Sequence, residues 1–212
     1  MTTRIKLVTL VWVAFFVGGE MAVAQSISPP IAEYRGTSVS GMFEVKNTTD
    51  HSMAVVLETK SFSVNEQGQV DYRPLDSSIK VNMGVNSFVL RAQDSRMIFY
   101  KATLTSAPGS FSIIPTMTKA GPVTGVRVNF ILPHMVYVYQ KDKFSKSDIK
   151  VEVTDGVLHI QNLSNKLGRV EVVQVSKQEL PGFPLYPGQT RQFPAGDKMS
   201  ITFEDGFKVS LP

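Results

Sequence analysis

The 212-residue sequence contains no cysteine, and this absence removes several classes of protein at once. A chain without thiols cannot form a disulfide, a zinc–thiolate site or an iron–sulfur cluster, and it has no thiol nucleophile. Small extracellular scaffolds that depend on disulfides are therefore excluded. The fold must rest on packing and hydrogen bonding alone.

Long apolar runs are also lacking, except at the N-terminus. Arg4 and Lys6 precede an apolar stretch over residues 7–18, and Ala22-Val23-Ala24 is typical of a signal-peptidase site. These features predict a signal peptide over 1–24 and a mature chain over 25–212. The apolar stretch falls short of the roughly 20 residues that a membrane span needs, although an uncleaved N-terminal anchor is the alternative. We expect no stable membrane insertion elsewhere.

Basic clusters are missing as well. The formal net charge is only +4, and the lysines and arginines form no run. Surfaces that bind nucleic acid normally concentrate their basic residues in a patch or a stripe. Together with the predicted export, this spacing predicts that the protein has no nucleic-acid partner.

The usual signatures of catalysis and metal binding are absent too. His51, His134 and His159 stand apart, and none has a second histidine or a carboxylate at metal-ligand spacing. The sequence has no nucleophile elbow, no glycine-rich phosphate loop and no zinc-protease helix motif. We therefore predict no catalytic residues, no metal site and no cofactor. A hydrolase with dispersed carboxylates remains an alternative, because sequence does not show how far apart two carboxylates lie.

What the sequence does contain is a series of short strands. Apolar and β-branched segments alternate with turn signals at roughly 8–12-residue spacing, which favours a β-sandwich or barrel. No window shows a sustained helical period. A charged break at 141–150 divides the series, so we predict an all-β chain with one domain over 25–143 and a second over 144–212. The second is small for an independent core and is expected to lean on the first.

The longest predicted strand covers residues 125–140, GVRVNFILPHMVYVYQ. A row of apolar side chains with one parity lines one face of it: Val126, Val128, Phe130 and Leu132. Pro133 has no backbone N–H, so it fits poorly in a central strand and indicates an edge strand with a break. Because an uncovered edge is an aggregation hazard, we expect this one to pair with another protein's chain. The alternative is that the row is the core face of its own sandwich. Tyr137 and Tyr139 are expected to pack where the domains meet.

Four segments of the mature chain resemble the PapD-like periplasmic chaperones of chaperone–usher pili. They are FEVKNTTD at 43–50, FVLRAQDSRMI at 88–98, VLHIQNLS at 157–164 and LYPGQTRQFP at 185–194. They occur in the order and at the spacings of that family, and the resemblance runs over nearly the whole mature chain.

The resemblance implies two immunoglobulin-like β-sandwich domains in tandem. It also implies that the last strand of the first domain donates alternate apolar residues to an incomplete pilus or fimbrial subunit, which is β-augmentation in physical terms. The expected partners are such subunits and an outer-membrane usher, the expected location is the periplasm, and no cofactor is needed. Self-association through the edge strand is a further expectation. A structural or adhesive β-sandwich protein of the cell envelope is the alternative function.

One departure from the family pattern concerns the anchor for the subunit's C-terminal carboxylate. The family uses an arginine on the first strand and a lysine on the edge strand, which would fall near residues 31–32 and 136–137, and neither pair is basic here. Arg35 and Lys101 are the candidate replacements, which points to a divergent branch of the family. The alternative for Arg35 is a solvated turn residue before Gly36.

Overall fold

A computed structural model describes residues 25–122, 125 and 128–212. The predicted signal peptide and the candidate donor residue Val126 lie outside these residues. In the described part the chain forms eighteen strands and two short 3-10 turns, without an α-helix. The strands build two β-sandwich domains, which confirms the predicted fold class.

The first domain is a sandwich of a four-stranded and a seven-stranded sheet. Its strands are β1 Ser26–Ser28, β2 Ile31–Arg35, β3 Ser38–Lys46, β4 Met53–Val64, β5 Val70–Pro74, β6 Ile79–Met83, β7 Ser87–Leu90, β8 Ser95–Leu104, β9 Gly109–Lys119, β10 Asn129–Ile131 and β11 His134–Tyr139. The smaller sheet has the order β1-β3-β8-β6. The larger has the order β2-β11-β9-β4-β5, with β10 paired to β9 and β7 paired to β4.

Strict alternation of apolar side chains fills the space between these sheets. In β8, Ile98, Tyr100, Ala102 and Leu104 are buried while the residues between them are exposed. The inward residues of the other strands complete one continuous core, whose large members include Phe43, Phe111, Ile113 and Met117. This is the two-residue period expected of a sheet with one buried face.

The second domain follows a 3-10 turn at Lys146–Asp148 and is also a two-sheet sandwich. Its strands are β12 Ile149–Thr154, β13 Val157–Asn162, β14 Gly168–Val175, β15 Gln178–Leu185, β16 Thr190–Pro194, β17 Met199–Phe203 and β18 Lys208–Leu211, with a 3-10 turn at Glu204–Gly206. The sheet orders are β12-β13-β16 and β15-β14-β17-β18. Phe144, within the predicted linker at 141–150, is buried in this domain's core. The predicted linker therefore contributes a side chain to the core of the second domain.

A buried asparagine stands at the end of β3 in the first domain and of β13 in the second. The side-chain amide of Asn47 donates to the carbonyls of His51 and Arg91, both at 2.8 Å, and its oxygen accepts the Thr49 amide. Asn162 repeats the arrangement: it donates to the carbonyls of Lys166 (2.7 Å) and Leu185 (3.0 Å), and its oxygen accepts a backbone amide two residues on. Both side chains are fully buried. They satisfy carbonyls of the loops that follow the strands, which explains an asparagine within two of the segments that resemble the chaperone family.

A third, smaller core joins the two domains. Tyr137 and Tyr139 of β11 pack with Phe62 of β4 and with Leu167 of the second domain, as predicted for the two tyrosines. The side chain of Gln140 makes paired hydrogen bonds with the Leu167 backbone, at 3.0 and 3.1 Å. The domains are therefore packed against each other through apolar and polar contacts.

Candidate strand-pairing site

The segment predicted as one long edge strand forms two strands, β10 and β11, separated by Leu132 and Pro133. Both pair antiparallel with β9, and the Leu132 amide donates to the Pro115 carbonyl (3.1 Å) at the break. The break follows from the proline. However, β11 is not an edge, because β2 runs parallel along its other side. The prediction of an edge was therefore wrong for β11. β2 was not predicted, because it is short and directly follows the prolines at 29 and 30.

β10 does keep an open edge. It pairs only with β9 among the strands that the structure describes. β2 begins at Ile31, which aligns with Met135, so β2 does not reach β10. On that side, no strand of the described residues pairs with the backbone groups of Asn129–Ile131, which could accept an added strand.

The candidate donor residues that the structure describes differ in their exposure to solvent along this edge. Val128 is 56% exposed, whereas Phe130 and Leu132 are half-buried and pack against the core of their own domain. Ile131 points to the opposite face and is 63% exposed. The row therefore faces inward, with its exposure greatest at the end nearest residue 128.

Arg35, the first candidate anchor, already has a carboxylate partner. It is the last residue of β2, and its guanidinium forms an ion pair with Glu204 of the second domain. It also donates to the Gln140 carbonyl (3.2 Å) and lies 5.3 Å from the Tyr139 ring centre. Arg35 is thus an ion-paired residue at a strand end and not a turn residue, and its side chain is 37% exposed. Sequence reasoning missed Glu204, which is distant in the chain.

A second ion pair crosses the same boundary. The guanidinium of Arg169 lies 2.9 Å from the carboxylate of Glu33, and the Tyr139 hydroxyl donates to that carboxylate at 3.3 Å. Burial, reinforced by the nearby Glu33 charge, raises the pKa of Tyr139. The two pairs line a polar cleft of about 310 Å³ between the domains. With Glu171 its lining carries three carboxylates and two guanidinium groups, so the described residues give it no spare positive charge.

Lys101, the second candidate anchor, lies on the other sheet. It is an exposed residue of β8, aligned with Ser40 and Asn82 in the four-stranded sheet. Next to it, Phe99 and Met42 are aligned and exposed, and Lys101 and Phe99 line a cavity of about 380 Å³. The structure therefore does not bring Lys101 into the interdomain cleft with Arg35.

His134, immediately after the break, holds three strands together. It is fully buried and stacks on Phe43, with ring centres 4.4 Å apart. Its Nδ1 lies 2.7 Å from the Pro29 carbonyl, which can only accept, so Nδ1 carries the proton. Nε2 then accepts from the Tyr100 hydroxyl at 3.0 Å. Burial lowers the pKa of His134, so the ring is held neutral at the start of β11.

Two absences apply to the described residues. No group of three or more His, Asp or Glu side chains there could hold a metal ion. No helix in that part of the chain is long and apolar enough to cross a membrane.

The comparisons with known proteins agree with this architecture. No protein-family model matches the sequence, and no curated protein matches it either. Several solved structures are similar in fold. The class 5 fimbriae chaperone CfaA is 13% identical, with a TM-score of 0.60 over 89% of this chain and 100% of that chain. A chain of the Salmonella enterica SafA pilin–SafB chaperone complex is 10% identical, with a TM-score of 0.58 over 89% and 95%. The E. coli chaperone DraB is 13% identical, with a TM-score of 0.55 over 89% and 96%. The chain therefore has the fold of the PapD-like chaperones.

Proposed function

We propose that this protein is a periplasmic assembly chaperone that stabilises pilus or fimbrial subunits by donor-strand complementation. In this proposal the open edge of β10 pairs with a strand of the subunit. The apolar row of Val126, Val128, Phe130 and Leu132 fills the groove that the missing subunit strand leaves.

The observation that carries the proposal is the position of the open edge. β10 is a short exposed edge, continuous with a fully paired strand, in a fold shared with fimbrial chaperones. An added strand gains main-chain hydrogen bonds along β10, while alternating side chains supply specificity. Val128 is exposed enough to enter a partner's groove without change, whereas Phe130 and Leu132 must rotate or share their contacts with the core.

The carboxylate anchor needs a rearrangement in this proposal. The guanidinium of Arg35 forms an ion pair with Glu204. A subunit's terminal carboxylate can therefore bind Arg35 only by replacing Glu204 or by binding beside it. Lys101 can take part only if the subunit also contacts the four-stranded sheet. Arg35 is accordingly the first residue to test.

The remaining parts of the proposal follow from the same role. The protein acts without a cofactor and without catalysis, because the folding energy of the subunit drives its later transfer. It passes the subunit to an outer-membrane usher, and it works in the periplasm after removal of residues 1–24.

Co-purification tests the proposal directly. The full chain is co-expressed with small strand-rich subunits encoded beside its gene, and periplasmic extracts are separated by affinity and size. We expect an equimolar complex with one subunit and degradation of that subunit when the chaperone is absent. The proposal is wrong if the chain elutes alone with every candidate subunit. Assembly of the chain itself into the envelope fraction would instead favour the structural or adhesive alternative.

A further inference from the structure

The second domain contains an apolar groove that the strand-donation proposal does not use. β15 and β16 are edge strands of the two facing sheets, and the space between them has a volume of about 820 Å³. Half-buried apolar side chains that pack on the domain core line it: Val175, Leu180, Phe183, Phe193 and Ala195. The groove thus opens the core of the small sandwich to solvent along one side.

Arg191 lines this apolar space at the end that meets the first domain, where its guanidinium lies beside Gly68. It aligns with Ile160 of β13, as Phe193 aligns with Leu158, and both partners are fully buried core residues. Side chains of that parity face the interior of the sandwich. The Arg191 guanidinium accordingly lies 4.7 Å from the ring centre of Phe183 and 6.0 Å from that of Phe193.

No carboxylate of the described residues forms an ion pair with Arg191. Its Nε is buried and has no hydrogen-bond partner, and burial lowers the pKa of the guanidinium. Arg35 and Arg169, by contrast, both face carboxylates. Removing a charge from water without a counter-charge costs free energy, so buried arginines are normally paired with a carboxylate. An inward-pointing charge can protect a sheet edge, but that role leaves the Nε donor unsatisfied.

The lining favours an alkyl chain over an added peptide strand. Pro181 and Pro184 have opposite parity in β15, so one of them removes a backbone N–H from the open edge, and Pro194 ends β16. β16 spans five residues, or about 17 Å at about 3.3 Å per residue. An extended chain of about twelve carbons fits that length.

We propose that this groove binds a single-chain amphipathic anion. The alkyl chain lies between β15 and β16 against Leu180, Phe183 and Phe193. The carboxylate or phosphate head accepts hydrogen bonds from the terminal N–H groups of the Arg191 guanidinium and supplies the missing counter-charge.

Titration of the purified, delipidated full chain with four dodecyl compounds tests the proposal. Dodecanoate and dodecyl phosphate are expected to bind one to one below their micellar concentrations. Dodecanol and dodecyltrimethylammonium are expected to bind at least tenfold more weakly, and this comparison uses the wild-type protein alone. Arg191→Gln should lose at least tenfold in dodecanoate affinity and Arg191→Lys should retain most of it. Lys208→Gln, an exposed residue of β18 that does not line the groove, should match the wild type.

The opposite results would overturn the proposal. Equal binding of dodecanol and dodecanoate would show an apolar groove without selectivity for an anionic head group. Unchanged dodecanoate affinity in a folded Arg191→Gln variant would rule out the contact between Arg191 and the head group. Absence of binding by either anion, or preferential binding of an extended Val/Thr peptide carrying one glutamate, would assign the groove to another occupant. Subunit capture is measured separately, so failure here leaves the chaperone proposal intact.

Discussion

The guanidinium of Arg35 donates to the carboxylate of Glu204, which ties β2 of the first domain to the 3-10 turn before the last strand of the second. The Glu204 side chain is almost fully buried, and it also accepts the Phe144 amide at 3.3 Å. The pair therefore links β2, the start of the second domain and its final hairpin. It also gives Arg35, the first candidate anchor for a client's carboxylate, an internal carboxylate partner.

Replacing Arg35 with alanine should lower stability and weaken client capture. The substitution leaves the buried Glu204 carboxylate without its counter-charge, so we expect a double-mutant cycle with Glu204→Ala to show coupling of about 1 kcal/mol. Urea unfolding of the four proteins measures that coupling. Lys101→Ala is the matched control for stability. Capture that stays at the wild-type level in folded Arg35→Ala would remove Arg35 from client binding, and the same result in Lys101→Ala would leave the client held by backbone pairing and apolar contacts alone.

Val128→Asp should abolish client capture while leaving the isolated protein folded. Val128 is exposed, so the free protein tolerates a charge there, but an unpaired carboxylate inside an apolar groove costs several kcal/mol. Capture in a pull-down should fall by at least about tenfold. Ile131→Asp is the control, because Ile131 is equally exposed on the opposite face of the same edge. Equal loss in both variants would mean that parity along β10 does not select the donor face.

Phe130→Asp should destabilise the free protein as well as weaken capture. Phe130 is half-buried against the first core, so the aspartate places a charge next to apolar side chains. We expect a loss of about 2–3 kcal/mol in the free energy of unfolding. Circular dichroism melting measures this. An unchanged melting temperature would show that Phe130 contributes little to its own core.

Stability should fall as the pH drops below 6.5, in part through His134. Burial holds the pKa of His134 below the ordinary value of 6.5, so the unfolded chain binds its proton first. The contribution is complete above pH 6.5 and declines at lower pH, by at most about 1.4 kcal/mol per pH unit. Chemical unfolding from pH 7.5 to about pH 5 follows this loss. His134→Gln should flatten the profile; a slope identical to the wild type's would assign the acid sensitivity to other groups.

Leu167→Ala should loosen the contact between the domains. Leu167 is 1% exposed and packs on Phe62, Tyr137 and Tyr139, so its truncation should cost about 2–3 kcal/mol. We expect the second domain to unfold at a lower temperature, visible by calorimetry as a broadened or split transition. Leu163→Ala, the same change at a 58% exposed position nearby, should stay within about 0.5 kcal/mol of the wild type. Similar melting curves for the two variants would contradict a structural role for the junction.

Much of the strand pattern could be predicted from the sequence, because alternation and turn chemistry are local. β4 at Met53–Val64 and β7 at Ser87–Leu90, for example, coincide with apolar, β-branched segments bounded by turn signals. Short or proline-containing strands escaped prediction, including β1, β2 and β15. Their formation depends on a neighbouring strand that supplies hydrogen bonds, and this neighbour is not visible in the local sequence.

By itself, then, the sequence determined an all-β chain without disulfides, a break at Pro133 and an apolar row with one parity before that break. Those properties follow from residue chemistry and from the two-residue period of a strand. Only the tertiary structure decided that β2 pairs with β11 and leaves β10 unpaired on that side among the described strands. It also decided that Glu204 forms an ion pair with Arg35, and that Arg191 has no carboxylate partner in the described residues. Each of these depends on residues far apart in the chain, whose meeting is set by the packing of whole sheets.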